Sequence, residues 1–175
     1  PGANTKVRSW ILGSSLDGAQ LAAHFGLPYA FASHFAPEQL IEAMKIYRDL
    51  FKPSAHHAAP YSAFVMNVVA ADTDEEAQHL FTTLQQNVVR MRRNTRGQLP
   101  PPIESLDDFC EPHEQAAAAH TLQCSVVGSL ETIQKGMRQW LDKTGANELI
   151  FTGQIFDHQA RLKSFEIAAQ AAQSL

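Results

Sequence analysis

Four short apolar runs, each followed by a stretch with helical spacing, constrain the fold more than any other feature of the sequence. Residues 10–12 read as a buried strand, and 18–25 as a short helix that Gly26 and Pro28 stop. Residues 29–33 form a second strand. Over 37–51, Leu40, Ile41, Met44, Tyr47 and Leu50 recur on one helical face. Residues 61–71 are rich in Val and Phe and give a third strand. Thr73-Asp74-Glu75-Glu76 then matches a capping box, opening a long helix with Ala77, Leu80, Phe81, Leu84, Val88 and Met91 on its core stripe. Residues 148–156 are the fourth strand, and Asp157 caps a last helix carrying Leu162, Phe165 and Ala169. Parallel strands need crossovers and antiparallel ones do not. The alternation therefore predicts an α/β fold with a parallel sheet covered on both faces.

One region departs from the pattern. Residues 94–114 carry Pro100-Pro101-Pro102, acidic residues and little periodicity, and read as an excursion loop. An alanine-rich helix over 115–123 follows. Ser129 then caps a helix with Leu130, Ile133, Met137, Trp140 and Leu141 on one face, ended by Gly145. Domain organisation is expected to be a single unit over 1–175.

The net charge of −4 argues against a nucleic-acid footprint, which needs a basic face. Arg90, Arg92, Arg93 and Arg96 are the basic cluster, read as a solvated helix end. No apolar stretch reaches membrane-spanning length, and the sequence shows no charged-then-apolar leader. Two cysteines do not make a disulfide framework, so a cytoplasmic location is expected.

In parallel α/β folds ligands meet the C-terminal ends of the strands. Here those ends supply Gly13-Ser14-Ser15, Ser33-His34-Phe35, Ala70-Ala71-Asp72 and residues 154–158. Gly13, Ser15 and Gly18 stand in a G-x-S-x-x-G arrangement. Small residues there let a ligand approach the backbone, and the following helix start offers free amides, which together suit a phosphate. The competing reading is a tight turn with Ser15 or Asp17 as N-cap. His34 is a candidate acid, base or ring hydrogen-bond donor, or else a structural histidine closing a strand. His158 reads as an exposed first-turn residue, and His56-His57 as a solvated loop pair. Cys110, His113, His120 and Cys124 have metal-like spacing, but the middle gap is short and helical spacing alone brings His120 and Cys124 together. No metal is expected. Asp72, Asp74, Glu75 and Glu76 are explained by helix capping.

The stretches "WILGSSLDGAQLAAHFGLPYAFASHFAPEQL", "YRDLFKPS", "AADTDEEA" and "GQIFDHQARLKSFE" resemble the bacterial-luciferase-like flavin monooxygenases, from Val7 to about Ala169. The resemblance implies a TIM (β/α)8 barrel, of which this chain holds the C-terminal half, strands five to eight, with an insertion over 94–124. A complete barrel takes about 250 residues. It also implies FMN as cofactor, reduced by a separate flavin reductase, with O2 and a small organic molecule as substrates. In that family the corner after strand five contacts the flavin phosphate. Carried over, the role falls on Gly13, Ser14, Ser15 and the amide of Gly18, where many relatives have a hydroxyl residue instead. His34 is carried as the candidate catalytic residue.

Half a barrel leaves bare edges and an uncovered inner face. A homo-oligomer, or pairing with an N-terminal half-barrel, is the expected remedy. A non-catalytic flavin- or phosphate-binding module and an inert structural half-barrel are the alternatives to an enzyme.

Overall fold

The computed structural model describes residues 7–55, 57–95 and 97–175; His56 and Arg96 lie outside the described residues. The element order is β1 (Ile11–Gly13), α1 (Leu16–Phe25), β2 (Tyr29–Phe31), α2 (Leu40–Leu50), β3 (Ser62–Ala70), α3 (Asp74–Arg92), α4 (Pro112–Thr121), β4 (Ser125–Gly128), α5 (Leu130–Thr144), β5 (Glu148–Thr152) and α6 (His158–Ala172). Every strand pairing is parallel, as the alternation predicts.

The sheet runs β1-β2-β3-β5, the order of successive strands in a wound parallel sheet. The fifth strand corrects the sequence expectation of four. β4 pairs with Asn67 to Ala70 of β3, while β5 pairs with Ala63 to Asn67. Asn67 has partners in both, so the two lie on opposite edges of β3. β4 therefore continues the edge that β2 leaves after Phe64. It was missed because four residues between two helices carry almost no periodicity. Two other expectations shift. The fourth predicted strand stops at Thr152 rather than at residue 156, and α4 begins at Pro112, inside the segment read as loop.

Register-paired residues of a parallel sheet point to the same side. On one side Tyr29, Phe31, Phe64, Met66 and Val68 pack against α1, α2, α5 and α6. Full burial of each large side chain there stabilises the fold by roughly 1.5–3 kcal/mol. On the other side Val69 and Ala71 pack under α3 and α4, with Leu80, Phe81 and Val89. That second cover reaches only the C-terminal end of the sheet. Towards the N-terminal ends Leu12 is 67% exposed and Ile150 43% exposed, on the face they share with Ala30, Ala63 and Val65. The expectation of two covered faces is thus met on one side and on half of the other.

The caps at Thr73 and Asp157 follow the sequence, whereas the Ser129 side chain makes no cap bond to α5. Thr73 Oγ1 accepts from the Glu76 amide at 3.1 Å, and Asp157 accepts from the Ala160 amide at 2.8 Å. The excursion is not free of α3. The Thr83 hydroxyl donates to the Pro100 carbonyl, Gln86 Nε2 donates to Pro101, and Thr82 Oγ1 accepts from the Ile103 amide. Arg93 grips the Glu114 carboxylate and lies over the Phe109 ring. The guanidinium and the Glu111 amide hold the Glu114 carboxyl at about 2, well below its ordinary range.

Candidate functional site

The first strand end is built as a corner. Ser15 takes extended dihedrals as N-cap, and α1 begins at Leu16. A Cβ on Gly13 would sit 3.4 Å from the Gly18 Cα, and the reverse holds too, with the Tyr29 ring 3.5–3.8 Å away. The two glycines therefore let strand and helix close on each other over an aromatic floor. Tyr29 Oη donates to the Ser15 carbonyl at 3.2 Å and fixes the turn. Burial pushes the Tyr29 phenol up, so it stays a neutral donor. Ser14 and Ser15 are exposed, and the Ser15 side chain makes no cap bond to its helix. The corner thus combines two hydroxyls with the free amides of a first helical turn, a donor set that fits a phosphate. Asp17, also in that turn, is the one opposing charge.

The second strand end lies beside the first, with the Ala32 amide donating to the Gly13 carbonyl at 2.8 Å. Two residues on, His34 is half-buried with its ring edge-on to Phe35 at 4.6 Å. Its Nδ1 is sealed from solvent and, among the described residues, is the one buried side-chain N or O atom without a hydrogen-bond partner. Burial lowers the pKa of the ring, so His34 is neutral at pH 7.

His34 opens onto a cleft of about 460 Å³, within the range of small-molecule sites. Its floor is Phe35 and Asn67, and α3 forms one wall through Leu84, Asn87, Val88, Met91 and Arg92. Those five positions share one helical face by their i, i+3, i+4, i+7, i+8 spacing. The apolar stripe that reads as core in the sequence is therefore divided. Ala77, Leu80, Phe81, Leu84 and Val88 are all core, the last two also lining the cleft, and beyond them Met91 is exposed. Thr121, Leu122 and Gln154 complete the lining.

Asn67 is the residue that sequence reading missed. Its Nδ2 donates to the His34 carbonyl at 2.9 Å and to Ser125 Oγ at 3.3 Å, tying the end of β2 to β3 and β4. The signal was available, since Asn67 is the one polar residue between Ala63 and Ala71.

The remaining sequence candidates are placed elsewhere. Cys124 lies in the core under α1, α2, α5 and α6, whereas Cys110 packs with α3 and α4, so the metal-like spacing is not gathered in space. Asp74 accepts from the Ser129 amide at 2.6 Å and from the Thr132 hydroxyl at 3.1 Å, which pulls its pKa down and caps α5 across the gap. Asp72 pairs with Lys163. His158, in the first turn of α6, is exposed with Nδ1 3.1 Å from Arg161. Among the described residues no helix is long and apolar enough to cross a membrane.

Comparison with known proteins gives a consistent result. The family model for luciferase-like monooxygenases matches residues 1–148. A luciferase-like monooxygenase of Escherichia coli K12 is 49% identical over 175 residues, covering 100% of this chain and 52% of that protein. The crystal structure of apo-MsnO8 superposes with a TM-score of 0.85 at 32% identity, covering 94% of this chain and 50% of the other. The oxygenating constituent of 3,6-diketocamphane monooxygenase from a Pseudomonas putida plasmid, solved in complex with FMN, shares the fold. Its TM-score is 0.57 at 16% identity, over 93% of this chain and 46% of the other. The chain spans about half the length of the curated relatives it matches. The parallel strands in wound order and this half-length cover agree with half of a luciferase-like barrel.

Proposed function

The chain belongs to the luciferase-like monooxygenase family, and on that premise we propose that it is the half of a flavin-dependent monooxygenase that seats the FMN phosphate. The whole enzyme would oxidise a small organic molecule with O2, using flavin reduced by a separate reductase. The observation that carries this reading is the unused donor set at the β1–α1 corner beside the His34 cleft. Bound reduced flavin supplies the electrons for oxygen chemistry. The protein's own groups bind and shield. The first-turn amides of α1 and the hydroxyls of Ser14 and Ser15 hold the phosphate, with the backbone of Gly13 and the amide of Gly18 close enough to join them. Neutral His34 offers a hydrogen bond at the next strand end, and the apolar α3 wall keeps water from the space between.

A Ser14→Ala/Ser15→Ala double variant is expected to bind FMN more weakly by about 1–3 kcal/mol, read by fluorescence titration. Unchanged affinity removes these side chains from the site.

Leu12 and Ile150 leave the inner face open, and such a face pairs with something. Alone, the chain is expected to associate with a second copy through this face. Sedimentation at micromolar concentration should show a dimer or larger species, and a compact monomer contradicts it. In the whole protein an N-terminal half-barrel takes that place.

A further inference from the structure

The two ends of the sheet are open in complementary ways. Among the described strands β1 pairs only with β2 and β5 only with β3, so each keeps one free edge. The outer helices follow the same order, α1 on α2, α2 on α5 and α5 on α6. α1 and α6 therefore stand at the two ends of that layer, over the free edges. Each exposes a pair of large apolar side chains, Leu21 and Phe25 on α1, Leu162 and Phe165 on α6. On α1 the buried face of Ala19, Ala22 and Ala23 separates Phe25 from His24, which meets Lys52 just after α2. On α6 the buried face of Ser164, Ala168 and Ala171 separates Phe165 from Ser174, which Gln134 and Arg138 of α5 hold. The Phe165 ring lies instead beside Gly153, just past β5. Leu12 and Ile150, the exposed apolar residues of the inner face, belong to the same two edge strands.

The occupant that fits both edges at once is a second copy of the chain. All strands are parallel, and the molecule has one edge of each kind. A twofold axis along the barrel axis sets β1 of one copy beside β5 of the other, and β5 beside β1, so that no edge of either half is left over. An interior of eight strands is just filled by side chains, which buries Leu12 and Ile150.

We propose that two copies of this chain close into one eight-stranded barrel, α1 and β1 of each against α6 and β5 of the other, and that Arg161 of the partner subunit completes the phosphate corner. The seam rests on the half-barrel fold, and the role of Arg161 rests on the flavin reading above. The corner lies at the seam because Gly13 ends β1. Its first helical turn carries Asp17 and no cation. Arg161, in the first turn of α6, is exposed and meets the His158 ring, and among the described residues it pairs with no carboxylate. Packed helices stand about 8–10 Å apart, a gap that an arginine side chain spans to grip a phosphate.

The test uses the 175-residue chain, with Phe25→Cys and Phe165→Cys made separately at exposed positions. The native cysteines are buried, and the unchanged chain is the control. Sedimentation should give a dimer. Under mild oxidation the mixed variants should cross-link and neither alone should, because the twofold sets α1 against α6 and never against its own copy. Phe25→Asp should shift the chain to monomer, with circular dichroism checking that it folds. A monomer, a species larger than the dimer, a cross-link in one variant alone, none in the mixture, or a dimeric Phe25→Asp overturns the seam. Arg161→Ala should stay dimeric and bind FMN about tenfold more weakly, as should Ser14→Ala/Ser15→Ala. Mixing these two should restore tight binding in part, since one corner of the mixed dimer has both its serines and an intact Arg161 across the seam. No restoration overturns the role of Arg161. FMN binding without the cross-link contradicts this proposal alone. The cross-link without any FMN binding contradicts the flavin reading and the role of Arg161 with it, and the seam stands.

Discussion

Asn67→Leu is expected to cost about 2–4 kcal/mol of folding stability, although leucine matches asparagine closely in shape. Asn67 is 1% exposed in the middle of β3. Its amide joins three chain segments, because the His34 carbonyl and Ser125 Oγ both accept from it. Leucine leaves both acceptors without that donor, in a place where water does not easily reach them. Destabilisation is only half of the expected result. The His34 backbone is positioned by this bond, so the variant should also lose the defined ring environment of His34. Urea denaturation should show a lower midpoint with an unchanged slope, since the surface exposed on unfolding stays the same. A loss under about 0.5 kcal/mol would mean that the link between β2, β3 and β4 is carried by the backbone alone.

Gly26→Ala is expected to cost about 3 kcal/mol. Gly26 closes α1 in the left-handed region, with φ of 60°. An L-residue there costs roughly 1–2 kcal/mol by itself. The added Cβ would also stand 2.3 Å from the Lys52 carbonyl oxygen and 2.6 Å from the Ser54 Cβ. The first of these is backbone and cannot swing aside, so the turn between α1 and β2 must shift. Gly18→Ala is the built-in contrast. It sits in the same helix with ordinary φ, its Cβ meets its nearest neighbour at 3.4 Å, and alanine favours the helix by up to about 1 kcal/mol. Thermal melts should separate the two variants widely. Equal stabilities would mean that the Gly26 turn relaxes freely.

The contrast between these glycines shows what the sequence could and could not disclose. Gly26 was legible because a glycine before Leu-Pro, after helical spacing, has a local cause. The long β3 run and the caps at Thr73 and Asp157 were legible for the same reason, since each depends on neighbours within four residues. Gly13 and Gly18 were read as room for a ligand. The structure shows that they also admit each other and the Tyr29 ring, a contact set by three elements meeting. β4 escaped because its evidence is the pairing with β3, not the four residues Ser125–Gly128 themselves. The cleft escaped for the same reason. Asn67, Asn87 and Gln154 are unremarkable along the chain and come together only when β3, α3 and the end of β5 are assembled. The β1–α1 corner and His34, by contrast, were singled out as candidates because strand ends in parallel sheets are known places to look. Half of the barrel also leaves a mark in the structure, as exposed Leu12 and Ile150 on a face that a closed barrel would cover.

The β1–α1 corner is proposed as the seat of a flavin phosphate, and one titration meets that directly. FMN is added to the purified chain and followed by fluorescence anisotropy, with riboflavin, which lacks the phosphate, run in parallel. Saturable FMN binding with riboflavin much weaker is the predicted result. No saturable FMN binding, or equal binding of the two, would contradict a phosphate seat at Gly13-Ser14-Ser15.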